Sequence, residues 1–250
     1  MDQGHTPPQS LRFDPFTGDI SRGSFVIDPQ DLRDAFGGVG QGGLPYGCQR
    51  LEQGGRVANI KFIDPERRAI EKVFEQYGAG KAELSDFQKL TEFGTGYVLN
   101  SLQDPRKPNT WGFNKLAQSF LAHVGQEPGR SAQEADVVAF FGSYDAGFGL
   151  HKDAYDTAMF VLDGRKHFLI EVDGAQKEYT LGAGEYLRWK SPYAHTNRNP
   201  GGDWSLTLNF TLGPDASRRV HAGTPVEYIH PRTALKNIVS SGFGSISRRL

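Results

Sequence analysis

The sequence predicts a mainly β domain with flanking helices, its strands closing into a sandwich or barrel. Three observations carry this. From Ala135 onward, short runs rich in β-branched and aromatic residues recur about every ten residues, separated by Gly, Asp or Pro. Glycine (31 residues) and proline (14) are abundant in the 250-residue chain, as many short strands and turns require. The longer helical patterns fall in the part of the chain before those runs.

Taken in order, residues 1–55 are rich in Gly, Pro, Asp and Gln and read as an N-terminal arm. Within it, Gly37 to Gly47 (GGVGQGGLPYG) reads as a flexible loop, an arm or lid lying over the body. Residues 56–134 read as a helical support region. Asp64-Pro65 followed by ERRAIEKVFEQYG has an N-cap, a proline in the first turn and Gly78 as the stop. Ile70, Val73, Phe74 and Tyr77 fall at helical spacing. Ser85 begins a second helix (SDFQKLTEFG) and Asn114 a third (NKLAQSFLAHVG), which Gly125 ends. All three are expected to pack on the outside of a sheet.

Residues 135–212 read as the strand-built core: VVAFFGSY, DTAMFVLDG, RKHFLIEVDG, KEYTLGAG, EYLRWKS and WSLTLNFTLG. The link Leu162-Asp163-Gly164-Arg165 predicts a hairpin, because Asp-Gly accepts positive φ. Residues 213–250 form a more polar C-terminal extension, with a short helical piece near Pro231 to Val239 and a frayed tail.

The formal net charge of -1 gives no bulk argument for nucleic acid or an anionic membrane, so neither is expected as a partner. One cysteine, Cys48, excludes an internal disulfide and a multi-cysteine zinc site. MDQGHTPPQS has no basic start and no apolar stretch, so no signal peptide is expected and a cytoplasmic location is the default.

The chemistry centres on His151, Asp153 and His195. Residues i and i+2 of a strand point the same way, so His151 and Asp153 can grip one ion from one wall. His195, after the Ser191-Pro192 turn, supplies a second imidazole from another strand. Two imidazoles and one carboxylate form the triad that leaves positions open on a non-haem Fe(II). H-x-D alone is a weak signal, and either histidine alone reads as an ordinary one. Lys166 sits in an alternating strand; pointed inward, its ammonium needs a carboxylate partner, which a dicarboxylate co-substrate would supply.

The stretch GFGLHKDAYDTAMFVLDGRKHFLI, with LGAGEYLRWKSPYAHT and SLTLNF downstream, resembles the JmjC-type, cupin-fold oxygenases that depend on Fe(II) and 2-oxoglutarate, most of all the small bacterial hydroxylases. The resemblance covers about residues 115–212. It implies a double-stranded β-helix (a cupin or jelly-roll barrel), with His151, Asp153 and His195 as iron ligands and Lys166 on the distal carboxylate of 2-oxoglutarate. Thr157 and Asn209 match positions that line the co-substrate, and Tyr144 and Ser143 could donate a hydroxyl to the same carboxylate. It also implies consumption of O2, release of succinate and CO2, and hydroxylation of an unactivated C–H. Asp153 favours hydroxylation over halogenation, since related halogenases carry a small residue there.

Two departures from the family pattern stand out: the segment between Asp153 and His195 is shorter than in many relatives, and Phe148 replaces a hydroxyl residue.

Trp189, Tyr193, Arg188, Arg198 and Trp204 cluster around the distal histidine. Facing outward at a barrel mouth they could hold a peptide or an amino-acid carboxylate; residues of this kind more often cap a core or sit in solvent. His123, His167, His221 and His230 read as surface or structural groups. The substrate is expected to be a peptide or protein side chain or an amino-acid-like metabolite, with demethylation ranked lower because no cage for a methylated cation is evident. A cupin metalloenzyme that needs no 2-oxoglutarate, and a non-catalytic binding module, are the alternatives. By analogy with cupin-type barrels, the C-terminal stretch is a candidate homodimer contact.

Overall fold

The computed structural model describes residues 12–13, 20–44, 49–51, 57–58, 64–91, 96–99, 102, 111–124, 136–143, 149–153, 156–191, 193–199, 203–212 and 227–228. In chain order the first elements are β1 (Arg12–Phe13), β2 (Ile20–Ser24), α1 (Pro29–Gly42), β3 (Gln49–Leu51), β4 (Val57–Ala58) and α2 (Asp64–Gly78). A 3-10 helix (Leu84–Leu90), β5 (Gly96–Leu99), α3 (Trp111–His123) and β6 (Asp136–Ser143) follow. The rest are β7 (His151–Lys152), β8 (Asp156–Val172), β9 (Ala175–Gly182), β10 (Glu185–Trp189), β11 (Ala194–Arg198), β12 (Trp204–Leu212) and β13 (Glu227–Tyr228).

Every strand pairing among the described residues is antiparallel. One sheet runs β1-β2-β10-β8-β12-β6-β5-β3-β4, and a second runs β9-β8-β11-β7-β13. The two face each other, so Trp189 of the first meets Phe168 of the second with ring centroids 4.6 Å apart. From β6 to β12 the chain passes back and forth between the sheets, except at β9, which forms a hairpin with the second half of β8 within the second sheet; this is the double-stranded β-helix expected from the sequence. Met159, Val161, Phe168, Ile170, Leu181, Leu187 and Trp189 fill the barrel interior. The larger core lies outside the first sheet, where α1, α2, α3 and the 3-10 helix cover Phe141, Phe160, Leu206, Leu208 and Phe210.

The predicted hairpin at Asp163-Gly164 does not form. β8 is one 17-residue strand that crosses from sheet to sheet there. Its first half pairs with β10 and β12, and its second half with β9 and β11. Gly164 has φ +77°, and the β8–β12 register slips by one residue beside it, between Leu206 and Thr207. The dipeptide therefore bends a strand around a barrel corner. The two-residue hairpin lies ten residues later, at Asp173 (φ 50°) and Gly174 (φ 79°), between paired Val172 and Ala175. A Cβ at Gly164 would stand 2.1 Å from the Trp204 carbonyl oxygen, whereas one at Gly174 meets nothing within 4 Å. Gly164→Ala is expected to cost about 2–4 kcal/mol in urea unfolding. Gly174→Ala, which adds only positive-φ strain, should cost about 1 kcal/mol. Equal losses would refute the tight corner.

The Gly37–Gly47 loop reading is also corrected, since residues 37–42 belong to α1. Asp28 caps that helix by accepting from the Gln30 N–H at 2.8 Å, and Leu32, Ala35, Phe36 and Val39 form its buried stripe. Its glycines serve packing. A Cβ at Gly40 would lie 2.4 Å from the Glu75 backbone nitrogen of α2. α2 has the predicted bounds; the Ser85 helix is a 3-10 turn running Leu84–Leu90; and α3 starts at Trp111, before the predicted Asn114. The segment Pro231 to Val239, Cys48 and Phe148 lie outside the described residues. No described helix is long and apolar enough to cross a membrane.

Candidate metal centre

His151 opens β7 and His195 is the second residue of β11; the two are register partners, so both project from one face of the second sheet. Asp153 follows β7 directly. The imidazole centroids are 4.2 Å apart. His151 Nε2 lies 3.7 Å from Asp153 Oδ1, and His195 Nε2 lies 3.4 Å from Asp153 Oδ2. Both histidines are buried, and Asp153 keeps a slight opening to solvent.

The backbone decides which ring nitrogens face inward. His151 Nδ1 is 2.7 Å from the Gly149 carbonyl oxygen, and His195 Nδ1 is 3.1 Å from that of Tyr193. A carbonyl only accepts, so each Nδ1 must carry the proton and donate it. In the neutral ring the Nε2 lone pair is then bare. Burial, followed by the neighbouring His195, pushes the His151 pKa down to about 4, so this ring is neutral at pH 7. Burial pushes the Asp153 carboxyl up. The polar contacts with His195, His151 and the Thr157 hydroxyl outweigh it and hold the group below its usual range.

Two imidazole lone pairs and a carboxylate thus converge on one point. The three residues each offer a donor atom, all within 4.8 Å of one another, and the 3.7 and 3.4 Å separations from Asp153 to the two Nε2 atoms are spans that one ion with bonds of about 2.0–2.2 Å bridges. His151, Asp153 and His195 therefore fit a metal ion. The clamp has further parts. Thr157 Oγ1 donates to Asp153 Oδ2 at 3.2 Å, and Ser191 Oγ donates to the Asp153 carbonyl at 2.8 Å. The Ser191 N–H donates to Asp156 Oδ1 at 3.1 Å, fastening the turn after β10 to the start of β8. Phe168 stacks on His195 at 5.4 Å, and Trp189 packs on it at 4.9 Å.

Lys166 is on the inward face of β8 with Phe168 and Ile170, only 3% exposed. It makes no hydrogen bond or ion pair with the described residues, and desolvation alone pushes its pKa down to about 7. Trp189 Nε1, Asn197 Oδ1, Thr207 Oγ1 and Asn209 Oδ1 are also buried without partners among the described residues. All four face the same interior. Trp189 belongs to its core, and Asn197, Thr207 and Asn209 are register partners of inward Phe168, Val161 and Met159. Unpaired polar groups gathered on one interior suit a polar ligand.

The interior thus brings together His151, Asp153, His195, Lys166, Thr157 and Asn209. Thr157 spends its hydroxyl on Asp153. Of the placements open to Trp189 from the sequence, the structure shows the core one: it is 1% exposed and packs on His195, because β10 alternation puts it beside Leu187 inside the barrel. Trp204 is likewise buried, in the helix-facing core. Tyr193 is partly buried against the interior cluster and supplies the carbonyl that holds His195. Tyr144 lies outside the described residues, as do the side chains of Ser143 and Arg198. Asn197 and Thr207 were not singled out from the sequence. The i+2 rule, applied from His195 and back from Asn209, reaches both.

No protein-family model matches the chain. No curated protein matches it either. Among solved structures, it is similar to an oxidoreductase of the 2OG-Fe(II) oxygenase family from Burkholderia pseudomallei (14% identity, TM-score 0.38, covering 48% of this chain and 66% of that one). It is also similar to a cupin-like protein from Thermotoga maritima (11%, 0.36, covering 58% and 86%). A third is a cupin 2 domain-containing protein from Halorhodospira halophila (10%, 0.34, covering 48% and 72%).

Proposed function

We propose that this protein is an Fe(II)- and 2-oxoglutarate-dependent hydroxylase, acting on a peptide or protein side chain or an amino-acid-like metabolite. The observation that carries the reading is the pairing of a two-histidine, one-carboxylate centre with an unneutralised lysine inside the same barrel. A buried ammonium without a carboxylate is costly, and a dicarboxylate ligand relieves it. This favours 2-oxoglutarate over a cupin reaction that needs no acidic co-substrate.

Bound iron with 2-oxoglutarate and O2 would supply the oxidative chemistry, releasing succinate and CO2 and placing one oxygen atom on the substrate. The chain's own part is binding and exclusion. The Gly149 and Tyr193 carbonyls aim both Nε2 lone pairs at one point, and Thr157 fixes the carboxylate against them. Lys166 would neutralise the distal carboxylate, with the Asn209 amide facing the same interior. Phe168, Ile170, Met159 and Leu187 exclude water, which strengthens each polar contact.

Anaerobic titration of the Fe(II)-loaded protein with 2-oxoglutarate tests the reading through the weak visible band of the chelate. Succinate release against candidate peptides and amino acids, with products weighed for one added oxygen, then identifies the substrate. Absence of both the band and succinate would overturn the proposal.

A further inference from the structure

Trp189 carries an indole N–H that its surroundings leave unused. The residue is 1% exposed, and Nε1 has no acceptor among the described residues. An indole nitrogen only donates, so neither a flip nor a rotor can satisfy it, as they could an amide or a hydroxyl. A buried donor left unpaired costs more than a typical hydrogen bond contributes, and a buried tryptophan usually finds a partner for this group.

Its position is specific. Trp189 is the register partner of Thr157 on β8, and its ring packs on His195 at 4.9 Å and on Phe168 at 4.6 Å. It therefore stands at the metal end of the interior, several residues along the barrel from Lys166. The hydroxyl of its neighbour Thr157 donates to Asp153. In family terms the Thr157 position is expected to face the co-substrate, yet here that hydroxyl serves the metal carboxylate. The indole is thus a neutral donor beside the candidate metal ligands, with no acceptor among the described residues.

We infer that the Trp189 indole N–H is a ligand-binding donor at the metal end of the barrel, reading a carboxylate or carbonyl oxygen of the molecule held against His195. This rests on the 2-oxoglutarate reading, under which the acceptor is an oxygen of the 2-oxo acid end, while Lys166 takes the other. The donor is neutral, so it adds direction at the metal without adding charge.

The test uses the full chain loaded with Zn(II), which is diamagnetic, and 2-oxoglutarate as the probe. The Trp189 indole proton is identified by its loss in Trp189→Phe and followed by NMR. It should move downfield on adding 2-oxoglutarate. Trp189→Phe should raise the half-saturating 2-oxoglutarate concentration about tenfold, the value of one modest hydrogen bond, both chains being compared at saturating Zn(II). If the resonance does not move and the phenylalanine variant binds like the parent, the inference is overturned; a water is then the partner. Lys166→Met separates the two levels. Binding weakened by that change alone leaves the proposed function standing without Trp189. No 2-oxoglutarate binding by the parent chain overturns both.

Discussion

Replacing His195 with alanine is expected to lower Fe(II) affinity by at least about 100-fold and to abolish succinate release. The residue supplies one of three donors, and its Nε2 is held toward Asp153 by the Tyr193 carbonyl on the far side of the ring. Its loss leaves two ligands and an apolar gap between Phe168 and Trp189. A gap of that kind costs about 2–4 kcal/mol of stability, so part of any loss of activity could come from weaker folding. His195→Gln, which keeps much of the volume and removes the imidazole, separates the effects. Both variants should lose metal while the glutamine variant keeps more of the fold, read by Fe(II) titration beside thermal unfolding. Undiminished Fe(II) binding by either would refute the triad.

Lys166→Met is expected to do the reverse. Iron binding should stay near that of the parent chain, while the 2-oxoglutarate requirement rises roughly 100-fold or more, as for one partner of a buried charge pair. The ligand-free variant should also be more stable than the parent at pH 7, because an unpaired buried ammonium has gone. The sign follows from proton linkage. Burial pushes the Lys166 pKa down to about 7 from the ordinary lysine value of 10.5. Between those pH values the native chain holds fewer protons than the unfolded one, so ligand-free stability rises with pH across that window. Each pKa unit is worth about 1.4 kcal/mol, making the effect a few kcal/mol. Lys166→Met should flatten that rise. In the parent chain, 2-oxoglutarate affinity should fall as pH climbs above 7 and the ammonium loses its charge. Unfolding at pH 7 and pH 9, with and without 2-oxoglutarate, checks both. A variant no more stable than the parent, with an unchanged 2-oxoglutarate requirement, would refute the assignment.

The metal triad was legible because its information is local. H-x-D needs only strand alternation, and the order of strand, glycine turn, strand and distal histidine survives in one dimension. Lys166 was half legible: alternation grouped it with Phe168 and Ile170, but only the fold shows that this face is the inside. The two Asp-Gly pairs mark the limit. Asp163-Gly164 and Asp173-Gly174 both satisfy a positive φ, yet one bends a strand and the other reverses the chain. The difference lies in β12, whose Ser205 pairs with Gly164 from forty residues away. Trp189 was left open between mouth, core and solvent for a similar reason. Its neighbours Arg188 and Lys190 suggest a wet surface, while its own face of β10 is covered by the opposite sheet. The glycines of α1 read as a loop because their use, close approach to α2, is a tertiary matter.

The corner at Gly164 also resets the parity of the chain. Before it the odd-numbered residues Thr157, Met159 and Val161 look into the barrel; after it the even-numbered Lys166, Phe168 and Ile170 do. A uniform strand would have turned the lysine out into water. An indel of one residue between Val161 and Lys166 would do the same without altering any side chain that touches a ligand. The spelling of this short stretch is therefore as much a determinant of chemistry as the three metal donors.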